Sequence, residues 1–121
     1  IMQQMEEIFL KTGVSTPLPE DVLSRWSDKE SQIAREVFDV LVETGTLIQA
    51  DEKVFFHRQT IDRVRELVVQ YIRSHGKLTL SDCRNLLQTT RKYMLPLLYY
   101  LDEIGVTLRV GDDRVLRGGV T

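Results

Sequence analysis

Leu41-Val42-Glu43-Thr44-Gly45 and Leu101-Asp102-Glu103-Ile104-Gly105 stand 60 residues apart, each closing a run of helical apolar spacing and each opening onto a short apolar strand. After Gly45 come Thr46 to Ala50, the polar residues Asp51-Glu52-Lys53, and Val54-Phe55-Phe56-His57. After Gly105 come Val106 to Val110, then Gly111-Asp112-Asp113, then Arg114 to Arg117. Two apolar strands joined by a tight polar turn read as a hairpin. The chain is therefore read as two copies of one supersecondary unit.

The segments before each hairpin carry helix signals. Ser27-Asp28-Lys29-Glu30 has the form of a capping box, in which hydroxyl and carboxylate would each satisfy an orphan backbone N–H. Ile33, Val37, Val40 and Leu41 then recur at helical spacing, and Gly45 suits the left-handed position after the helix. In the second copy Thr90 is the expected cap, with Met94, Leu97, Leu98, Leu101 and Ile104 as the buried stripe and Gly105 ending it. Pro96, lacking an N–H for the Lys92 carbonyl, should bend the first turns. Each half also opens with a helix, on the stripes Met2, Met5, Ile8, Phe9 and Ile61, Val64, Val68, Tyr71, Ile72. A shorter helix follows each, Pro19 to Arg25 and Ser81 to Leu87, the latter capped by Ser81. Lys77-Leu78-Thr79-Leu80 reads as a third short strand beside the second hairpin.

Helix, short helix, turn, longer helix and hairpin is the order of a helix-turn-helix with a wing. The expected fold is mostly α with small β content: two tandem winged-helix modules, residues 1–58 and 59–121. No Gly-, Pro- or Ser-rich linker separates them at His57 to Thr60, so rigid coupling is expected.

At 121 residues the chain allows one ordinary domain or two minimal ones. No apolar run reaches the ~20 residues a membrane span needs, and no membrane partner is expected. Cys83 is the only cysteine, which rules out an internal disulfide and fits a reducing cytoplasm. There is no phosphate-cradling Gly-rich loop, no His-Glu-x-x-His pair and no nucleophile elbow. No cofactor, metal or catalytic residue is expected, and this chain is read as a non-enzyme. His57, at a strand end, and His75, near a helix C-terminus, are read as structural, and Cys83 as core.

The net charge of −2 divides unevenly. Residues 1–58 hold 6 Lys/Arg against 11 Asp/Glu, net −5, whereas residues 59–121 hold 10 against 7, net +3. A helix-turn-helix presents the N-terminal end of its second helix to nucleic acid, where free N–H groups and the helix dipole favour phosphate. In the second module that end reads Thr89-Thr90-Arg91-Lys92-Tyr93. Arg91 can bond a phosphate or guanine edge bidentately, Lys92 supplies a point charge, and Tyr93 either packs inward or stacks on an unpaired base. Arg84, Arg109, Arg114 and Arg117 add charge on the short helix and wing. The corresponding end of the first module, Ser27 to Ser31, carries two acids against one base and should repel phosphate, which leaves that module a spacer or protein-contact surface.

The stretch Leu86 to Tyr93, continuing through Leu97 to Asp102 and Gly105 to Leu116, resembles the C-terminal end of the bacterial selenocysteine-specific elongation factor SelB. The match is specific over residues 84–117 and architectural over the first module. In that family the C-terminal part is a chain of four winged helices, the last of which binds the messenger RNA hairpin called SECIS. The resemblance implies a GTPase elsewhere in the intact protein, and the ribosome and selenocysteinyl-tRNA as its partners. In this family Thr90 is more commonly Ser, which keeps the hydroxyl; Leu108 occupies a wing position that is often basic, which implies either fewer wing contacts or a shift of them toward Arg109.

Two other readings compete. A DNA-binding transcriptional regulator would need several base-reading side chains in succession, and Met94 to Asp102 offers no Asn, Gln or second Arg. A pair of protein-interaction modules is compatible with the acidic first half.

Overall fold

The computed structural model describes residues 1–118. The chain divides into two compact units, Ile1–Ile61 and Asp62–Thr121, three residues from the boundary read in the sequence. Its elements are α1 (Met2–Thr12), α2 (Pro19–Leu23), α3 (Ser31–Glu43), β1 (Leu47–Asp51), β2 (Val54–His57), α4 (Arg58–His75), α5 (Leu80–Leu87), α6 (Arg91–Glu103), β3 (Thr107–Val110) and β4 (Asp113–Leu116). The architecture is mostly helical with two small antiparallel hairpins, consistent with a winged helix.

In the first unit, Met5 and Phe9 of α1, Val22 and Leu23 of α2, Ala34, Phe38 and Leu41 of α3, and Leu47 and Phe55 of the hairpin form one core. The Phe38 ring meets Phe55 edge-on, with centroids 5.0 Å apart, an arrangement favoured by the ring quadrupoles. This packing turns α3 away from the expected stripe: Ile33 and Val40 are exposed, at 52% and 40%. Ala34, Phe38 and Leu41 are also spaced i, i+4, i+7, and the face carrying Phe38 is the one against Phe9 and Phe55. The capping box is absent as well. Ser27 Oγ donates to the Glu30 carboxylate instead of a backbone group, and α3 starts later, with Glu30 at its N-cap and no side-chain cap.

Cα pairing runs Leu47↔His57, Ile48↔Phe56, Gln49↔Phe55 and Asp51↔Val54, with a bulge between Gln49 and Asp51. His57 then caps α4. Its Nδ1 accepts the Gln59 N–H at 3.0 Å, and its Nε2 faces Glu6 Oε2 at 3.1 Å. It is a structural histidine, although at a helix N-terminus rather than on carbonyls. His75, as expected, bonds the Tyr71 carbonyl and stacks on the Tyr71 ring.

In the second unit Val64, Val68, Ile72, Leu78, Cys83, Leu87, Met94, Leu97, Leu98, Leu101 and Val106 are buried. Ile104, expected in the stripe, is 47% exposed because it lies past the last helical residue, at the C-cap. Gly105 follows at φ +83°, a left-handed position where a Cβ would be strained; Gly45 holds the same place after α3 at φ +78°. Pro96 is buried inside α6, which continues through it to Glu103. The α5 cap is Thr79, not Ser81: the Thr79 hydroxyl accepts from the Asp82 N–H at 3.0 Å. It also holds the Asp82 carboxyl below the usual carboxylate range. Because Thr79 caps and Leu80 is helical, the third strand shrinks to one bridge, in which Leu78 and Arg114 exchange both backbone hydrogen bonds at 2.8 Å.

Candidate nucleic-acid interface

α5 ends at Gln88, whose left-handed backbone (φ 51°, ψ 50°) makes the turn into α6. Thr90 is the N-cap of α6 but makes no side-chain cap hydrogen bond, and no acid lies in the first turn. The Thr90 carbonyl accepts from the N–H groups of Tyr93 and Met94. Among the described residues the N–H groups of Arg91 and Lys92 find no acceptor, so they stay open at the positive end of the helix dipole. Thr90, Arg91 and Lys92 are all exposed, and neither Arg91 nor Lys92 is ion-paired among the described residues. Free donors, two unpaired cations and an exposed hydroxyl converge on one terminus. Such an end binds an anion without rearrangement.

The other expected contacts divide. Arg84 is exposed in the last turn of α5, just before the turn that leads to the α6 tip. Tyr93 is half-buried, with Lys92 Nζ 5.3 Å from its ring centroid, at the boundary between core and surface. Thr89 does not share the outward face of Thr90: its hydroxyl oxygen is buried and has no partner among the described residues. Arg109 lies on the wing, 50% exposed at its side chain, bonded to the Gly111 carbonyl at 2.7 Å and to Asp112 Oδ1 at 3.1 Å. It sits 6.0 Å from the Tyr99 ring. Tyr99 is eight residues beyond Arg91, about 12 Å along the helix axis, so Arg109 lies apart from the tip cluster.

Arg114 is the clear correction. Read as a surface cation, it is 1% exposed. Its Nε donates to both Asp102 oxygens at 3.1 Å, and its NH1 donates to the Asp112 carbonyl. NH2 also lies 3.1 Å from Asp102 Oδ2, an ion-pair distance without the alignment of a hydrogen bond, since NH2 has no hydrogen-bond partner. Asp102 further accepts from the Thr107 hydroxyl. A guanidinium buried this way has no surface to offer a ligand. Asp102 had no mark in the sequence, because its partner is 12 residues away on another element.

Cys83 is buried, and burial pushes its thiol up to about 12, which removes it as a nucleophile at neutral pH. No group of three His, Cys, Asp or Glu side chains among the described residues could hold a metal ion, and no described helix is long and apolar enough to cross a membrane.

Residues 70–116 match a family model described as "Elongation factor SelB, winged helix", labelled as the third such domain of that family. A selenocysteine-specific elongation factor from Desulfomicrobium baculatum is 29% identical over 113 residues, which is 93% of this chain and 18% of that protein. The chain thus spans about a fifth of the length of this relative. Among solved structures, the mRNA-binding domain of elongation factor SelB from E. coli, in complex with SECIS RNA, superposes with a TM-score of 0.71 at 20% identity, covering 93% of this chain and 96% of that one. A bacterial selenocysteine-specific elongation factor, EF-Sec, superposes at 0.61, also at 20% identity, over 82% of this chain and 18% of that one. At these identities the structures establish a shared fold. Together with the family model and the sequence relative, they make the chain similar to the winged-helix region of SelB.

Proposed function

We propose that the chain is the RNA-binding part of a selenocysteine-specific translation elongation factor. On this reading it consists of two tandem winged-helix modules, residues 1–58 and 59–121. The second grips an mRNA stem-loop of the SECIS class through the N-terminal end of α6. The observation that carries the reading is that end itself: unbonded N–H groups, an exposed Thr90, and Arg91 and Lys92 free of ion pairs. A short cationic tip suits a compact loop with accessible phosphates and bases. The similarity to SelB supports the choice of target, as does the RNA held by the structural neighbour. Arg84, before the turn into α6, and Arg109, on the wing, extend the contact surface beyond the tip, and the first module acts as a spacer or protein-contact surface. The GTPase, the ribosome and selenocysteinyl-tRNA enter through the intact factor.

The test is an electrophoretic shift with an RNA stem-loop, duplex DNA and single-stranded RNA in competition. The stem-loop should win. Preferential binding of duplex DNA would point to a transcriptional regulator, and no binding to any of them would end the nucleic-acid reading.

A further inference from the structure

We infer that Asp102 and Arg114 are positioning residues for RNA recognition, aiming the exposed Arg109 of the wing from the buried side; the inference rests on the proposed RNA-binding reading. A chain of hydrogen bonds runs from the recognition helix to the wing tip. Asp102, on α6, accepts from Arg114 Nε with both carboxylate oxygens at 3.1 Å and from the Thr107 hydroxyl at the base of β3. Arg114 NH1 donates to the Asp112 carbonyl in the hairpin turn at 3.1 Å. The Asp112 carboxylate and the neighbouring Gly111 carbonyl hold the Arg109 guanidinium at 3.1 and 2.7 Å. Arg109 and Arg114 are also directly paired across the two strands.

Rigidity comes from the inner links. Arg114 is 1% exposed, and both its backbone groups are engaged by Leu78, so the wing is tied at once to α6 and to the segment leading into α5. A two-stranded hairpin is marginal by itself in water. Without the Asp102–Arg114 link, Asp102 would keep only the Thr107 hydroxyl at the base of β3, and the turn would lose its side-chain tie to the helix that carries Arg91 and Lys92. Arg109, which lies beside the Tyr99 ring about two helical turns beyond Arg91, would then sample many positions, and its contact with RNA would bear the entropy of ordering it. Arg114 thus acts through Arg109.

The experiment is a double-mutant cycle on the full chain with an RNA stem-loop selected for binding to it. Arg109→Ala should weaken binding about fivefold to tenfold in the parent chain and less than twofold when added to Asp102→Asn, whereas Arg91→Ala should cost the same in both backgrounds. Asp102→Asn is preferred to loss of Arg114 because it keeps side-chain shape, and thermal melts establish that each variant is folded at the assay temperature. A general loss of structure would weaken all contacts alike, so full additivity of Arg109→Ala with Asp102→Asn overturns the inference. So does an Arg109→Ala chain that binds like the parent. A second measurement needs no RNA: the Arg109 Nε–H resonance should be protected from exchange in the parent and lose that protection in Asp102→Asn. If protection is unchanged the relay does not exist; if it falls while no stem-loop binds any variant, the relay stands and the RNA-binding reading fails.

Discussion

Arg91 and Arg114 carry the same guanidinium into opposite surroundings, and their substitution should therefore fail in opposite assays. Arg91 lies on the exposed first turn of α6, off the buried stripe, so Arg91→Ala should change stability by no more than about 0.5 kcal/mol. It should cost RNA binding about 1 to 3 kcal/mol, with Arg91→Lys a partial rescue because the planar fork is lost. Comparison of the cognate stem-loop with a loop mutant is the decisive assay, since equal weakening of both would reduce Arg91 to a phosphate contact. Arg114→Met leaves the Asp102 carboxylate unpaired. Loss of one partner from a fully buried pair costs roughly 3 to 5 kcal/mol, and Asp102 keeps 22% of its side chain exposed. An unfolding free-energy loss of about 2 to 3 kcal/mol is therefore expected from denaturant titration, and an unchanged midpoint would contradict the burial argument. Cys83, with its thiol pushed up to about 12, should resist a disulfide reagent at pH 8 in the folded chain and react at once in denaturant.

At the scale of elements, helix starts separate what a short motif encodes from what its neighbours permit. Ser81 follows the start of α5, and the donor that needs an acceptor, Asp82 N–H, is met by Thr79. Thr79→Ala should cost about 1 kcal/mol of stability, whereas Ser81→Ala should stay within about 0.5 kcal/mol; equal melting shifts would show that the cap is not the Thr79 hydroxyl. α3 teaches the same lesson about stripes. Ile33, Val37, Val40 and Leu41 satisfied the helical period, but so did Ala34, Phe38 and Leu41, and the aromatic partners Phe9 and Phe55 selected the second set. Hairpins were easier to read, because the polar turns between β1 and β2 and between β3 and β4 are local.

For the molecule as a whole, the charge division carries the functional argument. Residues 59–121 hold the net +3 and the exposed tip of α6, so a chain limited to them should keep RNA affinity within about tenfold, roughly 1.4 kcal/mol. A larger loss in a truncation with native circular dichroism would assign RNA contacts to the first module. Arg114 no longer counts among the available cations of the tip and wing, which leaves Arg84, Arg91, Lys92, Arg109 and Arg117. About three to four phosphate contacts follow, and with a slope of about −0.7 to −0.9 per contact, log affinity against log salt should fall with a slope near −2 to −4. A slope near zero would mean that the interface is not electrostatic.

The order of helices and hairpins, the repeat, the charge division and the cationic tip at Arg91 and Lys92 were all legible in the chain, because each rests on periodicity, turn residues or neighbours within a few positions. The left-handed glycines at 45 and 105 belong to the same class. The buried face of α3, the burial of Arg114, the inward turn of the Thr89 hydroxyl and the shrinkage of the third strand to Leu78 were decided by the tertiary structure. These depend on partners brought together from distant positions, as Asp102 is to Arg114 and Phe55 to Phe38. A solvated arginine and a buried one read alike until the carboxylate that neutralises it is placed beside it.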